Sequence, residues 1–337
     1  VIRAPSDFDT PPASVTGEIA AVAANNQFTA DSANGVDFST IGPGGSALKP
    51  GDWIRTANFS DDANNGFFQV TAVDLTATPK TITVVGKTLV DETASAGRTI
   101  QGSAYVRNGT SVCSFSQIKQ FQDVAGGSEV RITGFKPSQV ALTFNPQSIM
   151  TYQISGQGEQ AEDSDRNALV SPDVTSFNYS RLSRFTNGTL NASMTTVDGV
   201  GELIVRRDDP IEGLSLNSLS LTPQQSLRSQ NAINSPGFGP SGIGQGRLAI
   251  NGSLTAFFEA GALPLLQFQR FDLAIVTRDR PGNAYLWDFP SVNISGDNIP
   301  KGTGVDQDTQ INVTVEGQLS DRLGVDNTYT VGVHKFV

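Results

Sequence analysis

One cysteine, Cys113, and one histidine, His334, in 337 residues remove much of the usual chemistry of protein sites at the outset. A lone cysteine forms no intrachain disulfide, and neither a Cys-based nor a multi-histidine metal centre can be assembled. Basic runs are missing too. Lys and Arg total 23 against 33 Asp and Glu, a formal charge of -10, so no row of phosphates is neutralised in the manner of a sequence-reading DNA binder. No apolar run reaches the roughly 18 residues of a membrane span, and the N-terminus lacks a basic segment followed by an apolar one. Neither a span nor a signal peptide is visible, and a soluble product made in a cytoplasm is expected. Long Ala/Leu/Glu/Lys periodicity, the mark of extended helices, is also absent.

Catalytic material is equally thin. A Ser-His-Asp or Cys-His unit would depend entirely on His334, three residues from the last one. The glycines at 42–45 lack the G-x-x-x-x-G-K-[ST] order that cradles a phosphate. A glycosidase needs only two carboxylates across a cleft, and nothing singles out such a pair. The chain therefore reads as no enzyme, with no cofactor, no metal site and no catalytic residues.

What is there is β-sheet. Gly, Ser, Thr and Asn abound, hydrophobic residues make up 37%, and short alternating segments recur between turn residues, which favours a mainly β chain. Length alone suggests two or three domains. Region 1–110 reads as a compact β module, Ig-like or a small barrel, with strands near 18–22, 53–56, 66–73, 81–85 and 98–106. Region 111–212 carries strands near 114–121, 130–135, 140–144 and 152–156, then a polar loop over 156–172. In region 213–337 a Gly/Pro-rich segment over 233–246 reads as an extended loop. After it, Leu248, Ile250, Gly252, Leu254, Ala256 and Phe258 alternate as one strand face. A short helix over 260–268, with Pro264 in its first turn, precedes a hairpin that turns through Arg280, Pro281, Gly282 and Asn283. Strands near 311–315 and 329–333 follow.

The order of these features resembles the C-terminal part of tail tube proteins from long-tailed bacteriophages. In that family a G-x-h-x-h-x-G-x-h-x-h-x-F strand precedes a small helix and a D-x-x-G-N-x-Y-x-h-x-h-P hairpin. Asp279, Gly282, Asn283, Tyr285 and Pro290 stand at the hairpin positions. The likeness extends upstream through 111–159 and, more weakly, 36–108. Within the latter, Gly51-Asp52-Trp53-Ile54 and the 64–70 stretch resemble an accessory domain found inside some tail tube proteins.

The resemblance implies tail-tube-type β-sandwich or barrel units with a short helix, plus a small N-terminal β-sandwich accessory domain decorating the outside. The family pattern is joined partway, which suggests a missing N-terminal segment. It further implies a siphophage virion protein whose rings stack into the conduit for genome delivery. Its partners would be other copies of the chain, a tape measure protein, and tail-tip or terminator proteins. DNA would pass through the lumen without specific binding, repelled by the acidity, although acidity also serves solubility alone. No membrane is expected among its partners. Glu159, Glu162, Asp163 and Asp165 crowd the polar loop without the order of a calcium loop; in a stacked tube that loop would reach the neighbouring ring. The Arg206-Arg207-Asp208-Asp209 quartet reads as a solvated turn, or as a charged contact between subunits. Trp53, Phe258 and Trp287 are the expected packing anchors. Residues 134–143 can also be laid without gaps on 213–222, with Gly, Leu and Thr identical. If the two are copies of one unit, the ring would be a trimeric pseudo-hexamer; with one unit per chain, a hexamer. A multidomain β-sandwich adhesin or carbohydrate-binding surface protein is the competing reading.

Overall fold

The computed structural model describes residues 13–30, 36–109, 114–121, 128–145, 151–165, 203–206, 215–231, 233, 240–258, 270–278, 283–295, 308–319 and 330–336. Among them the chain is mainly β, interrupted by single 3-10 turns at Ala23–Asn25, Pro43–Gly45 and Asp62–Asn64. Among the described residues no helix is long and apolar enough to cross a membrane. The expected helix over 260–268 and Cys113 lie outside the described residues.

The first six strands are β1 (Ser14–Val22), β2 (Gln27–Ala30), β3 (Trp53–Ala57), β4 (Gly66–Asp74), β5 (Lys80–Val85) and β6 (Glu92–Gly102). They close in the order β1-β2-β5-β4-β3-β6. The module is thus a barrel and not a two-sheet sandwich, because the long β6 pairs with β1 on one side and β3 on the other. Closure leaves no exposed edge. Alternation fills the inside: Ile19, Phe28, Ile54, Phe68, Val70, Ile82, Val84 and Ile100 converge with Phe38, Ile41 and Phe59 from the connections. The Phe28 ring packs against those of Phe59 and Phe68, each with centroids 5.3 Å apart. Where β6 ends, a Cβ on Gly102 would stand 1.6 Å from the Ile41 carbonyl oxygen, so only glycine permits that approach.

The strand expected over 98–106 divides at Ser103. Its second part, β7 (Ala104–Arg107), leaves the barrel and joins a larger sheet. That sheet also contains β8 (Phe115–Phe121), β9 (Ser128–Phe144), β10 (Thr151–Gln157), β11 (Gln160–Asp165), β12 (Leu203–Arg206) and β13 (Leu216–Gln230). The remaining strands are β14 (Gly242–Phe257), β15 (Arg270–Arg278), β16 (Ala284–Ser295), β17 (Gln310–Gly317) and β18 (Gly332–Phe336). Its main path runs β10-β9-β13-β14-β17-β16-β15-β12. Regions 111–212 and 213–337 are therefore not separate in space. Leu142 and Phe144 of β9 share one core with Leu219, Leu221, Ile250, Leu254, Phe271, Phe289 and Val313.

Two long strands depart from the expected pattern. β9 runs for 17 residues where two strands were expected, and its partners change at Gly134. It pairs with β11 up to Thr133 and with β8 up to Phe135, then with β10 from Lys136 and with β13 from Gln139. Gly134 sits at φ 63, the left-handed region that glycine enters without strain. β14 starts at Gly242, inside the expected Gly/Pro loop, because Gly242 to Gln245 pair with the end of β13. The final strand also begins later than expected, at Gly332.

β16 forks the sheet. Its first half pairs with β18 and its last residues with β17. Pro290 lies at the fork, where two residues of β16, Pro290 and Ser291, answer the single Asp272 of β15 between Leu273↔Phe289 and Phe271↔Val292. A bulge is where a strand tolerates a residue without an N–H to donate.

Candidate functional site

Two features of this architecture concern function: a buried polar joint between barrel and sheet, and the open edge of the sheet.

The joint is built from opposite faces of strands already in use elsewhere. On β15, Phe271, Leu273 and Ile275 face the sheet core, while Ala274 and Val276 face the other way. There they meet Ala284 and Leu286 of β16, Phe336 of β18, and Trp53 and Phe67 from the outer surface of the barrel. Trp53 is therefore an anchor between two bodies and not the core of its own module, whose neighbouring Ile54 points inward. Phe67 and Phe336 pack edge to face at 5.0 Å.

Beside this apolar seam lies a buried polar cluster. Ser103 Oγ is 2.9 Å from His334 Nδ1, and His334 Nε2 is 3.9 Å from Asp288 Oδ2. The ring is flanked by Trp53 at 6.3 Å and Tyr105 at 5.5 Å. Arg107 stacks over Tyr105 at 4.1 Å and donates from Nη2 to the Gly51 carbonyl at 3.0 Å. With its proton on Nε2, a neutral ring suits both neighbours: Ser103 donates to Nδ1, and Nε2–H faces the carboxylate. Burial, then the Arg107 charge, holds His334 well below the ordinary histidine value. Burial also raises Asp52, against the Lys49 N–H it accepts and the Arg107 charge.

Any Ser-His-Asp unit of this chain depends on His334, the sole histidine, and the fold does bring Ser103, His334 and Asp288 together. Their exposures are 2%, 0% and 1%, so a substrate has no approach to the serine. What the trio does chemically is tie the exit of the barrel to the last strand of the sheet. Sequence alone could not find it, because Ser103 and His334 are 231 residues apart.

The edge is a different environment. Among the described residues β10 pairs only with β9, and it closes one end of the main path. The apolar row Leu221↔Leu142 and Val140↔Ile154 runs outward from the core to this edge, where Ile154 is 53% exposed. Next to it, the outer half of the β13–β14 hairpin extends beyond its neighbours as a two-stranded ribbon, since β9 pairs with β13 no further than Gln224 and β17 with β14 from Ile250. The ribbon is tied to the edge by Lys136 Nζ donating to the Ile243 carbonyl at 2.9 Å and by Ser229 with Gln157 at 3.3 Å.

Three of the four acidic residues, Glu162, Asp163 and Asp165, are on a strand and not on a loop. Gln160–Asp165 is strand β11, placing Glu162 opposite Arg131, Asp163 opposite Val130 and Asp165 opposite Ser128; the side chains of those three acids lie outside the described residues. An alternating polar run makes a strand here because the first half of β9 offers it a partner. Glu159 precedes that strand. Its carboxylate lies across Gly134, where a Cβ would meet Oε2 at 2.6 Å, and 3.7 Å from Lys136 Nζ.

Phe258 is also corrected: it is 38% exposed. The face it would continue ends with β17, whose last pair here is Phe257↔Gln310. Trp287 is half-buried against the sheet core, edge-on to Phe144 at 6.2 Å. Asp279, Gly282 and Arg207 to Asp209 lie outside the described residues. No known family model matches the chain, and no curated protein matches it either.

Proposed function

We propose that this chain is a tail tube subunit of the long-tailed bacteriophage type, assembling with its own copies into stacked rings that conduct the genome. The observation that supports this reading best is the sheet edge seen among the described residues: an apolar row that leaves the core and ends on exposed Ile154 at strand β10, beside a two-stranded ribbon. Open edges invite another strand, and an isolated two-stranded ribbon is marginal in water. A ring of copies satisfies both.

In this role the chain needs no catalysis and no cofactor. It acts in the virion, with tape measure and tail-tip or terminator proteins as partners, and its net charge of -10 keeps DNA from adhering to the lumen. Electron microscopy of the protein with its tail-tip and tape measure partners tests the proposal: hollow stacked rings are expected. Monomers that instead bind glycans would favour the adhesin reading.

A further inference from the structure

We propose that the joint between barrel and sheet is a pH-sensitive latch, closed by neutral His334 and opened when that ring is protonated, which releases the six-stranded barrel from the sheet. The inference is independent of the tube reading.

The geometry places the histidine where such a latch must act. Ser103 is the single residue between β6 of the barrel and β7 of the sheet, and β7 pairs only with β18 among the described residues. The Ser103–His334 hydrogen bond thus spans the hinge, and His334 sits on the strand that holds β7. From β7 the ring faces Tyr105 and Arg107, from β16 Asp288, and from the start of β3 Trp53 with Asp52 behind it. On its own strand, Lys335 alternates to the other face.

A proton added to the docked ring creates a cation in a fully buried site and beside a guanidinium. Asp288, at 3.9 Å from Nε2, is too far for a hydrogen bond that would offset this. Once undocked, the ring meets water and regains its ordinary value of 6.5. The sign follows: below 6.5 the open form binds the proton first, so acidification favours opening, by up to about tenfold per pH unit until the docked ring itself titrates. Asp52 acts in the opposite sense, because its raised value makes the docked form the better proton acceptor.

The two tryptophans and single histidine make the test direct. In a Trp287→Phe background, Trp53 alone reports the seam. Acrylamide quenching of Trp53 and amide-exchange protection factors of β7 and β18 are followed from pH 7.5 to 5.5. The lone imidazole gives a single Cε1–H signal by NMR. Expected are seam opening that steepens below 6.5, with barrel strands β2 and β5 staying protected, and a flat response in His334→Gln. Asp52→Asn keeps the slope. Should His334→Gln fail to fold, the NMR titration decides: a ring that titrates only as Trp53 becomes accessible supports the latch. An unchanged slope in His334→Gln, a ring titrating near 6.5 while Trp53 stays protected, or simultaneous loss of protection in β2 and β5 overturns it.

Discussion

Leu142 of β9 stands directly opposite Leu221 of β13 in an antiparallel pair. These two leucines are also the ones that coincide when 134–143 is laid on 213–222. Copies related by rotation about a ring axis would run parallel and apart. Here the two segments are neighbours related by a local twofold, so the sequence echo describes the middle of one sheet and gives no support to two ring positions per chain. Leu142→Ala and Leu221→Ala should each cost about 2–5 kcal/mol, with a coupling of roughly 0.5–3 kcal/mol in the double mutant by urea unfolding. Simple additivity would mean that the leucines do not share a contact.

Excising the barrel should expose the seam. Removal of 14–102 uncovers Ala274, Val276, Ala284, Leu286 and Phe336, the face that Trp53 and Phe67 cover. The truncated chain is expected to bind a hydrophobic dye and aggregate, whereas the isolated barrel, with its separate core, should melt cooperatively by circular dichroism. Its Trp53 emission should be red-shifted relative to the whole chain. A truncated chain that stays dispersed and binds no dye would show that the seam contributes little.

Strand existence was legible in the sequence because alternation follows directly from one buried face: β1, β3, β4, β5 and the strand through Gly252 all fell where the pattern placed them. Partners were not legible. Ser103 divides one apparent strand between two bodies, and no local pattern records that Ala104 to Arg107 pair with a strand more than two hundred residues later. Trp53 carried a clear burial signal, yet whether it faced its own barrel or a neighbour depended on its parity within β3. The acidic run at 160–165 was polar enough to read as loop, and only the extended first half of β9 makes it a strand.

Acid should weaken the barrel through Glu92. Burial alone would raise this carboxyl, but hydrogen bonds from the Ser60 N–H and the Asn64 amide, with further donors at Ser60 and Asp61, hold it down to about 2. Arg98 also pairs with it. A depressed acid contributes stability above its ordinary value of 4.5, and that contribution is lost as pH falls from there toward about 2. Glu92→Gln should lower the neutral-pH urea midpoint and flatten its acid dependence. An equally steep acid loss in the variant would assign the effect to other carboxyls.

Gly252 allows β13 and β14 to approach closely: a Cβ there would meet the Ser220 carbonyl oxygen at 2.2 Å and Leu221 Cδ2 at 2.8 Å. Gly252→Ala should therefore destabilise the sheet by about 1–3 kcal/mol without changing the barrel, a split that amide exchange resolves. A neutral substitution would contradict the close packing of this pair.

Negative-stain imaging of concentrated protein, with and without tail-tip partners, tests the tube proposal most directly. It predicts hollow tubes of uniform diameter whose cross-sections show a closed wall, and loss of assembly in Ile154→Lys with folding stability changed by no more than about 0.5 kcal/mol. Threefold or sixfold outer features in the same averages count the chains in each ring. Persistent monomers in the presence of those partners, or tubes formed equally well by Ile154→Lys, would contradict the assignment of β10 as the assembling edge.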